Sequence, residues 1–345
     1  MGNPTAKKGK PIIGITLGDV NGIGPEVIIK SLLNSRILKH FTPVIYGSGK
    51  VLSFYRKNLA VGNFNYQQSD SIEKIAFGKT NVINVWEEKM EITPGEANEV
   101  GGKCALKSLQ AAVKDLKDGK LNAITTGPLS KELVHSDEFK FHGHTEYLTR
   151  EAGQKHSLMF LISERLRIGV ATGHIPLREV NKKINEELLE SKLSKMIQSL
   201  QKDFAINKPK IAVMGLNPHA GENGLLGDEE EKRIAPAIRK MKEGRHIITG
   251  PFSSDGFFGK GTFKQYDGIL AMYHDQGLIP FKLMAFDEGV NYTAGLPFVR
   301  TSPDHGTAFE IAGKNEASEV SFRNALYLAN DIVRNRNENR FEDSE

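Results

Sequence analysis

Three histidines, His174, His219 and His274, each sit in a polar loop directly after a β-branched run. The loops read "ATGHIPL", "GLNPHAGENG" and "MYHDQGL". Imidazole is the commonest neutral metal ligand, and three of them leave coordination positions open for substrate or water, as a catalytic ion requires. The long intervals between them match no short metal motif. The pattern alone therefore leaves two readings open, three ligands of one ion or three hydrogen-bonded structural histidines. Two cations raise a similar choice. Lys282 of "PFK" and Arg300 of "FVRTS" stand among Gly, Pro and Asn residues. Lysine offers a compact charge and arginine a planar fork for phosphate or carboxylate; the plain alternative for both is a solvated surface charge. Asp275 beside His274, Asp255 in "SSDGFF" and Lys131 in "TTGPLSK" are candidates for proton transfer or for the shell around an ion. The base stays unassigned among them, and surface placement is the alternative for each.

Something regular has to carry these loops. Candidate strands are "PIIGITL" (11 to 17), "TPVIYG" (42 to 47), "NVINVW" (81 to 86), "NAITTG" (122 to 127), "RIGVATG" (167 to 173), "KIAVMGL" (210 to 216), "HIITG" (246 to 250) and "GILAMY" (268 to 273). Between them run helical periods. Over 183 to 204, Ile184, Leu188, Leu189, Leu193, Met196, Ile197, Leu200 and Phe204 recur at spacings of three and four. Further helices are expected over 103 to 118, 228 to 243 and 318 to 335. Such alternation argues an α/β fold with a largely parallel sheet, whose ligands gather beyond the carboxyl ends of the strands. The tail "NRNENRFEDSE" reads as low in order, and residues 1 to 10 as a loose start.

Composition bounds the function. A chain of 345 residues with 39% hydrophobic and 26% charged residues is an ordinary globular protein of one large or two medium domains. The formal charge of +4 is spread along the chain, so nucleic acid is not the expected partner, while an anionic small molecule is. One cysteine, Cys104, permits no internal disulfide. No apolar run approaches the roughly 20 residues of a membrane span, and no secretory stretch opens the chain, so the expected location is cytoplasmic with no membrane partner. The segment "GDVNGIGPE" follows a strand and opens a helix, but Val27 stands where a dinucleotide fingerprint needs its third glycine. It offers either helix N-terminal amides to an anion or a structural strand-to-helix turn.

The segments "GITLGDVNGIGPEV", "TTGPLSK", "FHGHTEYL", "GLNPHAGENG", "YHDQGLIPFK" and "GVNYTAGLPFVRTSPDHGTAFEIAGK" occur in order from about residue 11 to 335. Together they resemble the blocks of the 4-hydroxythreonine-4-phosphate dehydrogenase (PdxA) family. The resemblance implies an isocitrate/isopropylmalate dehydrogenase-like α/β fold of two domains with an active-site cleft between them. One domain would combine 10–136 with 292–340 on the cofactor side; the other, 137–291, would carry the metal ligands and the dimer contact. It implies a homodimer with its active site near the subunit interface, NAD as oxidant with NADP as the alternative, and a divalent ion on His174, His219 and His274. Zinc is the first choice of ion, with magnesium, manganese or cobalt as alternatives. It places His144 and Thr145 of "GHTE", with Lys282, Asn291 and Arg300, on a phosphorylated substrate, and Asp304, His305 and Gly306 on the cofactor; for these last, an ordinary Gly-rich turn is the bland alternative.

The implied reaction oxidises 4-phosphooxy-L-threonine at C3 to an amino-keto acid, which loses carbon dioxide to give 3-amino-2-oxopropyl phosphate, in vitamin B6 biosynthesis. A metal on the hydroxyl oxygen lowers its pKa and stabilises alkoxide charge. The chain departs from the usual family pattern at Val20 and Asn21, where Pro and Ala are common, at Gly173, where Thr is common, and in "SSDGFF". These changes bear on which four-carbon phosphate is used, so a dehydrogenase of phosphorylated threonate or erythronate is the alternative. More distant is a phosphate acyltransferase of related fold. A metal-stabilised binding protein is disfavoured, because closed structural zinc sites often use cysteine and Cys104 lies in an expected helix.

Overall fold

A computed structural model describes residues 9–87, 90–134 and 143–342. Its strands are β1 (Ile12–Thr16), β2 (Thr42–Gly47), β3 (Gln67–Ser69), β4 (Asn81–Asn84), β5 (Ala123–Thr126), β6 (Leu158–Ile162), β7 (Arg167–Val170), β8 (Lys210–Met214), β9 (Ile247–Phe252), β10 (Gly268–Ala271), β11 (Val290–Ala294) and β12 (Val299–Pro303). The chain divides into two units. One comprises the chain up to His144 together with Phe298–Arg334; the other comprises Thr145–Pro297 and the residues from Asn335 on.

In the first unit the strands lie in the order β3-β4-β2-β1-β5-β12, and every pair is parallel. Every residue of β2 and β5 is buried, as expected for strands covered on both faces. Helix Glu99–Lys117 lays Leu109, Ala112, Val113 and Leu116 into the core, and its first turn is capped by Asn98, whose side chain accepts from the Gly101 N–H.

In the second unit the order is β11-β6-β7-β10-β8-β9. β7, β10, β8 and β9 are mutually parallel, while β6 runs antiparallel to both β11 and β7. Helix Glu186–Lys202 covers one face and comes close because two strand positions have no side chain. A Cβ on Gly169 would stand 2.6 Å from Met196 Cε, and one on Gly268 would stand 2.9 Å from Leu200 Cδ1. The other face carries Ile168, Val170, Met214 and Ala271, packed with Leu278 and Phe281 of helix His274–Ala285. Leu200 is fully buried, so Leu200→Ala is expected to destabilise the chain by ~2–5 kcal/mol, the usual range for emptying such a site. Urea unfolding followed by circular dichroism would read this as a lower midpoint.

The α/β class and the parallel strands are as the sequence suggests, with differences that have local causes. The helix expected over 183–204 is Glu186–Lys202, which starts where Asn185 caps it by accepting from the Leu188 N–H, and a separate short helix, Leu177–Lys183, precedes it. The helix expected over 228–243 begins as a π turn, Glu230–Ile234, before Ala235–Glu243. The last helix runs over Val320–Glu342, well past 335 and through most of the tail read as low in order. The cause is Asp203, which ties that extension down. Its backbone carbonyl accepts from Asn335 Nδ2 at 2.7 Å, and its carboxylate accepts from Arg336 Nε at 2.6 Å and from the Tyr292 hydroxyl at 2.5 Å.

Candidate active site

The strand order β7-β10-β8 decides where the three histidines go. These strands are adjacent and parallel, so the loops leaving their carboxyl ends emerge along one edge of the second unit. His174 follows β7, His274 follows β10 and His219 follows β8. The rings of His174 and His274 stand with centroids 5.3 Å apart. His274 Nδ1 is 2.7 Å from Asp275 Oδ1. A carboxylate on one ring nitrogen leaves Nε2 for a ligand, the usual arrangement behind a metal-binding histidine. His219 is placed differently, near Asp255, whose carboxyl is held below its usual range first by the Ser253 hydroxyl and then by the Gly256 N–H. Among the described residues no three His, Cys, Asp or Glu side chains converge as a metal cage. The donor chemistry suits a divalent ion at the His174–His274 pair, but the chain does not bring His219 to that pair.

The loop that carries His219 is strained. From His219 to Asn223 all five residues have positive φ, between 43° and 81°, and only Gly221 escapes the steric penalty in full. What holds this left-handed turn is Glu230, a residue that no motif singles out. Its carboxylate is buried and accepts from the N–H groups of Leu216 and Asn217, both at 2.7 Å, and from Asn217 Nδ2 at 2.9 Å. A Cβ on Gly221 would lie 2.7 Å from Glu230 Oε2, so the loop and the carboxylate fit each other only with glycine there. Gln276 was missed in the same way. Its Nε2 donates to Gly215 O and to Ser254 Oγ, and its Oε1 accepts from the Met272 N–H, which joins the loops after β8, β9 and β10. The signal for both was a polar side chain beside a histidine loop, too common in sequences to stand out alone.

Other expected residues divide between the units. In the second, Thr145 near the start of helix His144–Glu151 lines a cavity of about 370 Å³ together with His174. Lys282, in helix His274–Ala285, is partly buried with its ammonium 5.8 Å from the centre of the Phe286 ring. Asn291 on β11 has a buried Oδ1 with no hydrogen-bond partner among the described residues. Asp255 and Asp275 are exposed. In the first unit, His144 is partly exposed, while Arg300 on β12 is only 2% exposed and donates from Nη2 to Thr126 Oγ1 at 2.8 Å. The alternative of a solvated surface charge is thus overturned for Arg300. The Lys131 side chain lies outside the described residues.

The region proposed for the cofactor is built from two segments of the first unit. Asp304 receives its backbone bond at Ser321, where its N–H donates to Oγ at 3.1 Å, and Gly306 has open space where a Cβ would stand. The Ile23 N–H donates to Thr307 O, and the Gly22 N–H to Asp19 O. Those two amides of "GDVNGIGPE" are therefore engaged inside the protein, which favours the structural reading of that motif over an anion cradle. Glu26, in the first turn of helix Gly24–Leu32, accepts from Lys30 Nζ and from the Ala317 N–H, which fastens the motif to the segment after Gly313.

The family model described as pyridoxal phosphate biosynthetic protein PdxA matches residues 39–329. The chain is 46% identical over 325 residues to 4-hydroxythreonine-4-phosphate dehydrogenase of Bacteroides thetaiotaomicron, covering 94% of this chain and 89% of that protein. It is 39% identical over 319 residues to D-threonate 4-phosphate dehydrogenase of Cupriavidus necator, covering 92% and 95%. Among solved structures it is similar to 4-hydroxythreonine-4-phosphate dehydrogenase from Klebsiella pneumoniae, with a TM-score of 0.80, 37% identity, and 94% and 98% of the two chains covered.

Proposed function

The chain belongs to the PdxA family, and from that premise we propose that it oxidises 4-phosphooxy-L-threonine at C3 with NAD and releases carbon dioxide to leave 3-amino-2-oxopropyl phosphate. Family membership replaces the acyltransferase alternative. The observation that best supports the reading is the single edge formed by the loops after β7, β10 and β8, with the His174 and His274 rings side by side. NAD would supply the hydride acceptor, and a divalent ion, zinc first, held by His174 and His274 would stabilise negative charge on the reacting oxygen, with His219 on the neighbouring loop of the same edge.

The chain's own residues have narrower tasks. Arg300, Lys282 and Asn291 bind the anionic groups of the substrate, with Thr145 and His144 completing its contacts. Asp275 orients the His274 ring. Asp255, held as a carboxylate below its usual pKa range by the Ser253 hydroxyl, is poorly suited to take a proton near neutral pH and serves better as a fixed negative charge beside His219. Asp304, His305 and Gly306 line the cofactor.

A homodimer is part of the proposal. Ile279, Leu283 and Phe286 are 59%, 83% and 71% exposed at helical spacings on and just after helix His274–Ala285, and Leu225 and Leu226 of the histidine loop region are exposed too. Exposed apolar side chains of this size mark a contact surface. Light scattering on the purified protein is expected to give twice the chain mass.

The deciding assay follows NADH absorbance with 4-phosphooxy-L-threonine and with D-threonate 4-phosphate, using metal-depleted protein before and after adding zinc, magnesium or manganese. Metal-restored turnover selective for the threonine compound is the expected result. Preference for the threonate keeps the chemistry and transfers the assignment to the activity named for the Cupriavidus necator relative; no turnover of either ends the reading.

A further inference from the structure

The cavity that Thr145 and His174 share contains a cation for which the proposed chemistry has no task. Lys192, on helix Glu186–Lys202, is partly buried and lines this space of about 370 Å³. Its ammonium donates to the Ser157 carbonyl at 2.5 Å, and no carboxylate among the described residues lies within ion-pair distance of it. The charge that acts on it most directly has the same sign: Lys195, one turn along the helix. Lys155 and Arg150 line the same cavity. Lys155 has Glu187 at 3.5 Å, but Lys195 has no acidic partner among the described residues; its stem lies over Gly295. The one carboxylate on the cavity wall, Glu146, makes no ion pair with Lys192.

Taking an ammonium out of water is unfavourable unless an opposite charge or several hydrogen bonds replace the water. One carbonyl is a poor replacement. Desolvation, and then the like charge of Lys195, pull the Lys192 pKa down to about 8, which still leaves the cation in the majority at neutral pH. A purely structural lysine would gain more by reaching solvent. A lysine kept in a cavity wall without its counter-ion is arranged to receive one from outside the chain.

We propose that Lys192 binds an anionic group of the ligand, a phosphate or a carboxylate, in the cavity it shares with Thr145 and His174. The substrate class of the proposed function carries both groups, and the inference rests on that reading only for the ligand's identity. Like-charge repulsion makes this wall unfavourable to the ammonium of an amino acid substrate, so the amino group points elsewhere.

The test uses the full chain with Lys192→Met, which keeps the volume and removes the charge, and Lys192→Arg, which keeps the charge. Thermal unfolding is recorded without ligand, with inorganic phosphate and with glycolate. Phosphate is expected to raise the wild-type midpoint by about 2 °C or more near saturation, to do so in K192R, and to fail in K192M. Without ligand, K192M is expected to melt at or above the wild type, because a desolvated unpaired charge is gone. Loss of the glycolate response alone assigns the carboxylate as the bound group. The proposal is overturned if K192M responds like the wild type, if neither anion stabilises the wild type, or if ligand-free K192M melts clearly lower, which would make the Ser157 bond structural. In turnover, K192M is expected to raise KM about tenfold or more with kcat little changed and K192R to restore it. An anion response without turnover of either substrate would leave this site standing and sink the proposed function alone.

Discussion

Replacing Glu230 by alanine is expected to lower kcat/KM in the NADH assay by about 100-fold, which corresponds to ~2.7 kcal/mol. The carboxylate touches no substrate. Its effect runs through His219, because it collects three hydrogen bonds from Leu216 and Asn217 at the base of the left-handed turn. Bonds to a charged acceptor contribute ~1.5–3 kcal/mol each, and left-handed backbone costs ~1–2 kcal/mol per residue with a Cβ. The turn from His219 to Asn223 contains four such residues, so its preference for relaxing is comparable with the bonds that restrain it. Without Glu230 the loop is expected to relax and the imidazole to leave its place. Glu230→Gln retains one acceptor and should lie between, near tenfold. Steady-state kinetics with circular dichroism on the same samples checks this, since the far-ultraviolet spectrum should be preserved. Activity of E230A within threefold of wild type would mean that His219 has no part in turnover or that other contacts hold the loop.

This residue also shows where sequence reading reaches its limit. The strand runs before the histidines were legible as short apolar or β-branched stretches leading into polar loops, and β2 coincides with its expected span, 42 to 47. β3, β6, β11 and β12 were not picked out. "LMFLI" is an apolar run whose period fits a buried helix as well as a strand, and "VNYTA" and "VRTSP" interleave polar residues that the fold buries. Long-range partners were the other gap. Asp203 and Arg336 are 133 positions apart, and neither suggests the other until the last helix is seen to run on past 335. For the site, residue type was enough to nominate His174 and His274, while their pairing depended on β10 lying between β7 and β8, an order that no local signal encodes. Arg300 was legible as a cation but not as a buried one, since its neighbours on β12 owe their burial to β5.

That burial gives Arg300 the second large effect. Arg300→Met is expected to raise KM for the phosphorylated substrate by about 30-fold to 1000-fold. The guanidinium is 2% exposed, with Nη2 on Thr126 Oγ1, and desolvation makes it a stronger partner for an anion than a surface arginine would be. A charge-assisted pair of this kind is worth ~2–4 kcal/mol, about 30-fold to 1000-fold in affinity. Arg300→Lys is not conservative here: a lysine lacks the planar fork that spans a phosphate or carboxylate, and its ammonium would not meet the Thr126 hydroxyl in the same geometry. R300K is therefore expected to recover less than a tenth of the lost kcat/KM. Thr126→Val separates positioning from binding. It removes the hydroxyl that fixes Nη2 while keeping the charge, and should cost about tenfold, mostly in KM. Initial rates over a wide substrate range, with unfolding midpoints for each variant, test all three. If R300M binds substrate as the wild type does while melting lower, Arg300 is a structural cation of the β5–β12 pair and the substrate's anionic groups lie elsewhere.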